Sequence, residues 1–135
     1  MIQWYQRRLR LIETNCGREA GWFVVRGDER IAELSDCRWE EMYWDSYLIT
    51  PTTNDADLNA ALLGTFWESE DWVSVHFANR EFPNLIVADA YPAMTPFYEP
   101  CRLVLRGLHF CPFPRLPWDY IILWWRARRP LAPNH

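Results

Sequence analysis

Apolar and polar positions alternate with a period of two along much of the chain, the pattern of strands with one buried face. Residues 22–26, the pair Gly27-Asp28 and residues 29–36 predict a β-hairpin, because glycine at the first central position accepts the positive φ of a two-residue turn. A third extended stretch, 39–50, stops at Pro51, which cannot donate a ladder hydrogen bond. Residues 22–50 therefore read as a three-strand meander. Alternation returns at 72–79, with Val73, Val75 and Phe77 on one face, and Pro83-Asn84 turns the chain into an apolar strand at 85–90. That is a second hairpin.

Two proline-rich connections, 91–100 and 111–117, frame a strand at 101–110. In a final strand, 119–128, Tyr120, Ile122 and Trp124 fall on one face and Ile121, Leu123 and Trp125 on the other. Both faces need cover, as in a central strand or one under a helix or a partner subunit. Residues 2–13 fit two templates: Tyr5, Leu9 and Leu11 alternate as in a strand, while Ile2, Tyr5, Leu9 and Ile12 share a helical face. The strand reading is preferred. One short helix is expected at 55–63, opened by the caps and acids of 53–57 and closed at Gly64. The expected fold is mainly β, with α+β as the variant: seven or eight antiparallel strands in a sandwich or partly closed barrel, with one short helix.

Composition narrows the function classes. The 135 residues suit one domain, 1–135, with a frayed tail at 130–135. Nine Trp, six Tyr and seven Phe give it bulky material for a core or an interface. There is no Lys, which excludes a Schiff-base lysine and a P-loop, and five scattered glycines form no dinucleotide fingerprint. No cofactor is expected. Cys16, Cys37, Cys101 and Cys111 form no C-x-x-C pair. Arginines at 7, 8 and 10 interrupt any signal-like apolar stretch, so the thiols are expected reduced, in the cytoplasm. The longest apolar run, 120–125, is far below the ~20 residues that span a bilayer, and no membrane partner is expected.

Charge is distributed unevenly, with net +3 over residues 1–27, −12 over 28–99 and +5 over 101–135. Either basic terminal strands lie beside acidic middle ones, or the surface is bipolar and steers a charged partner. The overall charge of −4 argues against nucleic acid as a partner. Arg126, Arg128 and Arg129 could grip a phosphate or acidic partner, or simply solvate a strand end.

Three constellations carry possible chemistry. Alternation along 39–50 sets Trp39, Glu41, Tyr43, Asp45 and Tyr47 on one face, opposite an expected core face of Met42, Trp44 and Leu48. Three aromatics interleaved with two carboxylates suit stacking on flat or sugar-like ligands, or holding a cation. Glu41 and Asp45 would stand about 13 Å apart at roughly 3.3 Å per residue, too far for a catalytic pair at about 5 to 9.5 Å. In the second hairpin, pairing Arg80 with Leu85 sets His76 opposite Asp89, with Ser74 on the same face. His76 and Asp89 are thus the catalytic candidates, though positions two apart along a strand lie ~6.6 Å from each other, beyond the ~3 Å that a nucleophile and its base require. Cys101, His109 and Cys111 share strand parity; His109 and Cys111 are the candidate metal ligands, fewer than the three or four a zinc site wants. The sequence favours a small non-enzymatic binding or protein-interaction domain, for a small molecule or protein, with a homo-oligomer among its partners. The alternative is a small β-barrel enzyme of hydrolase or isomerase type acting on a small molecule or sugar.

Overall fold

The computed structural model describes residues 2–84, 86–110 and 115–128. Its order is helix α1 (Ile2–Glu13), strands β1 (Trp22–Arg26), β2 (Glu29–Glu41) and β3 (Trp44–Pro51), helices α2 (Ala56–Leu62) and α3 (Thr65–Glu68), and a 3-10 turn (Glu70–Ser74). Strands β4 (Val75–Asn79), β5 (Val87–Ala88), β6 (Tyr91–Glu99) and β7 (Arg102–Arg106) follow, and helix α4 (Pro117–Ala127) comes last. The seven strands form one antiparallel sheet in the order β5-β4-β1-β2-β3-β7-β6. The mainly β, antiparallel character is as the alternation predicts. The sheet is single and open, and among the described residues four α-helices stand where one was expected.

The inner face follows from strand register. Trp22 and Val24 of β1 stand opposite Leu34 and Ala32 of β2 and opposite Asn79 and Phe77 of β4. Leu34 pairs with Ile49 of β3, and Tyr47 with Leu103 of β7, so one face becomes a continuous buried surface. Leu11 of α1, Leu62 of α2, and Phe66 and Trp67 of α3 close over it. Trp67 stacks on Phe77 with ring centroids 6.2 Å apart, and its indole N–H donates to Leu62 O at 2.8 Å. Burying a side chain of this size contributes about 1.5 to 3 kcal/mol or more, so α3 is fixed by an anchor rather than by its four residues' helix propensity.

Several expectations are corrected. Residues 2–13 are helical: Leu9, Leu11 and Ile12 are all buried, and Leu11 packs into the core over the sheet. The expected strand 119–128 is instead helix α4, which ends at Ala127 with Arg128 as its cap. Pro117 in the first turn and Asp119, whose carboxylate accepts the Leu116 N–H at 2.7 Å, start that helix. Residues 91–100, expected to be irregular, hold edge strand β6, where proline is tolerated because one ladder side is empty. The extended stretch 39–50 is cut in two: β2 runs on to Glu41, Met42-Tyr43 turn, and Trp44 pairs back with Glu41. Met42 takes φ 38°, a conformation its side chain gives no sign of. Residues 72–74 form a 3-10 turn that leaves Val73 exposed. The expected tail 130–135 lies outside the described residues.

Candidate functional site

Residues 14–21 leave α1 and lie across the inner end of the sheet. Buried Asn79, the last residue of β4, holds them: its amide donates to Gly17 O at 3.0 Å while its carbonyl accepts the Glu81 and Phe82 N–H groups. Arg80 N–H donates to Gly21 O at 3.0 Å, and Phe110 N–H to Cys16 O at 2.7 Å. Gly21 has φ 84°, and a Cβ there would meet Leu34 O at 2.4 Å, so only glycine lets the loop lie this close to β2. Arg18 is carried by this loop, and its Nε donates to Asp45 Oδ2 at 2.9 Å.

Opposite the loop stands the tip of the β2–β3 hairpin. β2 bulges between Ser35 and Arg38 and again between Trp39 and Glu41, and Asp36 takes φ 51°. The bulges bring Trp39 opposite Asp45. The Trp39 indole N–H donates to Met42 O at 3.2 Å, which pins the ring to the tip while leaving it 71% exposed. Between loop and hairpin opens a cleft of about 580 Å³ lined by Asn15, Arg18, Glu19, Cys37, Trp39, Met42 and Asp45.

Of the five residues expected on one strand face, the structure brings Trp39 and Asp45 to this cleft and separates the others. Tyr47 is fully buried, with its hydroxyl donating to Leu108 O at 3.4 Å. Glu41 and Tyr43 stand exposed at the hairpin tip, outside the cleft lining. The inward and outward sets of β3 are the reverse of the expectation: Asp45, Tyr47 and Ile49 point in, whereas Leu48 is exposed and Trp44 half-buried. Crossing the turn at 42–43 is what breaks the parity count. Sequence reasoning missed Asn15, Arg18 and Glu19, which come from a distant loop, and Cys37, whose parity a bulge resets.

The electrostatics of the cleft floor favour neutral groups. Burial pushes the Cys37 thiol up from its ordinary value, and the Asp45 carboxylate adds to the rise, while the Tyr47 hydroxyl and the charges of Arg18 and Arg102 offset part of it. Tyr47 is raised far above the usual phenol value, first by burial, then by Cys37 and Asp45. The thiol nucleophile is the thiolate, so Cys37 is a poor one. The floor carries the protonated Cys37 thiol, with the protonated Tyr47 phenol buried behind it, and the Arg18–Asp45 ion pair forms the polar wall of the cleft.

The remaining candidates do not assemble. Phe77 pairs with Ala88 and Ala78 with Val87, the register that sets His76 across from Asp89. The two side chains nevertheless make no hydrogen bond to each other among the described residues, and the Ser74 hydroxyl, in the 3-10 turn, donates to Asp71 O at 2.6 Å. Cys101 sits in a turn with φ 61°, exposed His109 follows the end of β7, and Cys111 lies outside the described residues. Among the described residues no three His, Cys, Asp or Glu side chains gather as metal ligands, and no helix is long and apolar enough to cross a membrane. Comparison with known protein families, with curated proteins and with solved structures finds no match.

Proposed function

We propose that this chain is a non-enzymatic binding domain that holds a small neutral or cationic molecule with a flat face in the cleft between residues 14–21 and the β2–β3 hairpin. The observation that carries the reading is the exposed Trp39 ring, fixed by its own N–H bond, beside the part-buried Arg18–Asp45 pair. A preset aromatic face stacks on a ligand with little ordering cost, and a few convergent polar groups then set its orientation. Asp45, Glu19 and Arg18 leave the lining one negative charge in excess, which favours neutral or positive ligands over anions. Asn15 adds an amide that can both donate and accept. The protonated Cys37 thiol at the floor is a weak hydrogen-bonding group and not an activated nucleophile, which supports binding over catalysis. Free thiols at Cys37 and Cys101 suit a reducing compartment, and we place the domain in the cytoplasm.

The test is a thermal-shift panel of nucleobases, aromatic amines, quaternary ammonium compounds and monosaccharides, run on the wild type and on Trp39→Ala. A ligand that binds only the folded state at about 100 times its Kd stabilises by roughly 2.7 kcal/mol. Compounds from these classes are expected to raise the wild-type Tm by several degrees and to leave Trp39→Ala unmoved. Equal shifts in both proteins, or no shift with any class, would remove the cleft as the site.

A further inference from the structure

Helix α4 is built inside out. Asp119 and Arg126 stand seven residues, two turns, apart on one face, and both turn toward α1: Asp119 meets Arg8 Nε at 3.0 Å and Arg126 meets Glu13. The opposite face, which looks into water, holds Trp118, Tyr120, Ile121, Trp124 and Arg128, with half-exposed Trp125 beside them. Trp118 is 63% exposed, Tyr120 57%, Ile121 55% and Trp124 56%. Asp119 is the only buried residue of the helix. Ordinary surface helices place the charged residues outward and the large apolar ones inward, whereas here ion pairs face α1 and the apolar stripe faces outward.

Among the described residues the outward face carries no carboxylate, and its one charge is Arg128, whose guanidinium lies 4.1 Å from the Trp124 ring centroid; exposed Arg115 precedes the helix. A groove of about 550 Å³ lined by Ile2, Trp4, Tyr5, Leu9, Ile122 and Arg126 runs along the seam between α1 and α4, on the side of α4 that bears the Arg126–Glu13 pair. The covering partner must therefore be apolar and anionic together.

We propose that α4 lays this face on the surface of a bilayer containing anionic lipid. Four of the six outward residues are indoles or phenols, side chains that concentrate at the boundary between hydrocarbon and headgroups. Arginines at the two ends of the stripe can reach lipid phosphates while the rings enter the acyl boundary. Eleven residues make a helix about 16 Å long, which can lie in the interface and cannot cross it. A second copy of the chain fits less well: a two-fold contact would set the same arginine-bearing, carboxylate-free faces against each other. Read as a strand, this segment offers no membrane-facing surface; read as the helix it is, it does. The face shares no residue with the cleft, so either site can fail without the other.

The experiment is flotation of the full chain with phosphatidylcholine vesicles, with and without phosphatidylglycerol, including lipids brominated in the acyl chain to quench nearby indoles. The wild type is expected to float with the anionic vesicles, with quenched Trp fluorescence and weaker recovery as salt rises. Ile121→Glu/Trp124→Glu is expected to lower the bound fraction about tenfold or more at an unchanged circular dichroism spectrum, since both side chains point away from the body. Arg128→Glu, which keeps the apolar stripe, should weaken binding to anionic vesicles by a smaller factor. Wild type that stays with the soluble fraction, or a double variant that floats as well as the wild type, would overturn the assignment. So would sedimentation showing a wild-type dimer that the same double variant dissolves without any vesicle binding, which would give the face to a second copy.

Discussion

Asp119 joins the two terminal helices through a single carboxylate. Desolvation raises its pKa, but the Leu116 N–H, Arg8 and Tyr5 together outweigh that and hold it below the usual carboxylate range. Because the folded value is depressed, its contribution to stability is complete above the unfolded value of about 3.9 and is lost as pH falls through the folded one. Asp119→Asn is therefore expected to lower the Tm by about 3 to 8 °C at neutral pH, with the gap to the wild type closing in acid scans as pH falls below the unfolded carboxylate value of about 3.9. A gap unchanged across that range would mean that the charge on Asp119 is not what holds α4. Cys37 has the opposite sign. Its raised value keeps the thiol protonated in the fold, so stability is lost as pH rises above about 8.5, where the unfolded chain's thiol ionises. At neutral pH, iodoacetamide followed by peptide mapping should label exposed Cys101 well before Cys37.

Element by element, legibility followed where the deciding physics lies. The Gly27-Asp28 hairpin, the Asp55 cap of α2 and the β4–β5 register were readable because turn chemistry and pairing parity act over a few residues. Asp55 accepts from Asp57 and Leu58 N–H, as a cap placed there should. Helices α1 and α4 were misread because short apolar runs satisfy both periods. Pro117 followed by Asp119 was the signal that separates them, a proline in the first helical turn with an acid to accept the capping N–H. The candidate site was half legible. Trp39 and Asp45 were found, but their partners come from the 14–21 loop, and the turn at Met42 has no glycine or asparagine to announce it. That loop depends on Gly21. Gly21→Ala, strained at φ 84° and short of room against Leu34 O, should cost about 1 to 3 kcal/mol in urea unfolding; an alanine variant as stable as the wild type would mean that the loop does not lie this close.

At the scale of the molecule, the uneven charge resolves into a geometry. The basic ends pair with each other's acids, Arg8 with Asp119 and Arg126 with Glu13, and also with the acidic middle, as Arg10 does with Glu81, Arg18 with Asp45 and Arg102 with Asp36. A helical, arginine-edged apolar face and a cleft lined by Asp45 and Glu19 sit on one chain without sharing a residue. The three pairs between basic ends and acidic middle fit the neutralisation of neighbouring opposite charges. The cleft is where Cys37 reports on occupancy, since its thiol lines the floor while Cys101 stands in a turn outside it. Alkylation rates of the two cysteines, measured with and without a saturating ligand from the thermal-shift panel, test the central claim directly. Slowing of Cys37 by about tenfold or more, the extent set by fractional occupancy, with Cys101 unchanged, is the predicted result. A ligand that saturates the protein while Cys37 reacts at its original rate would contradict it.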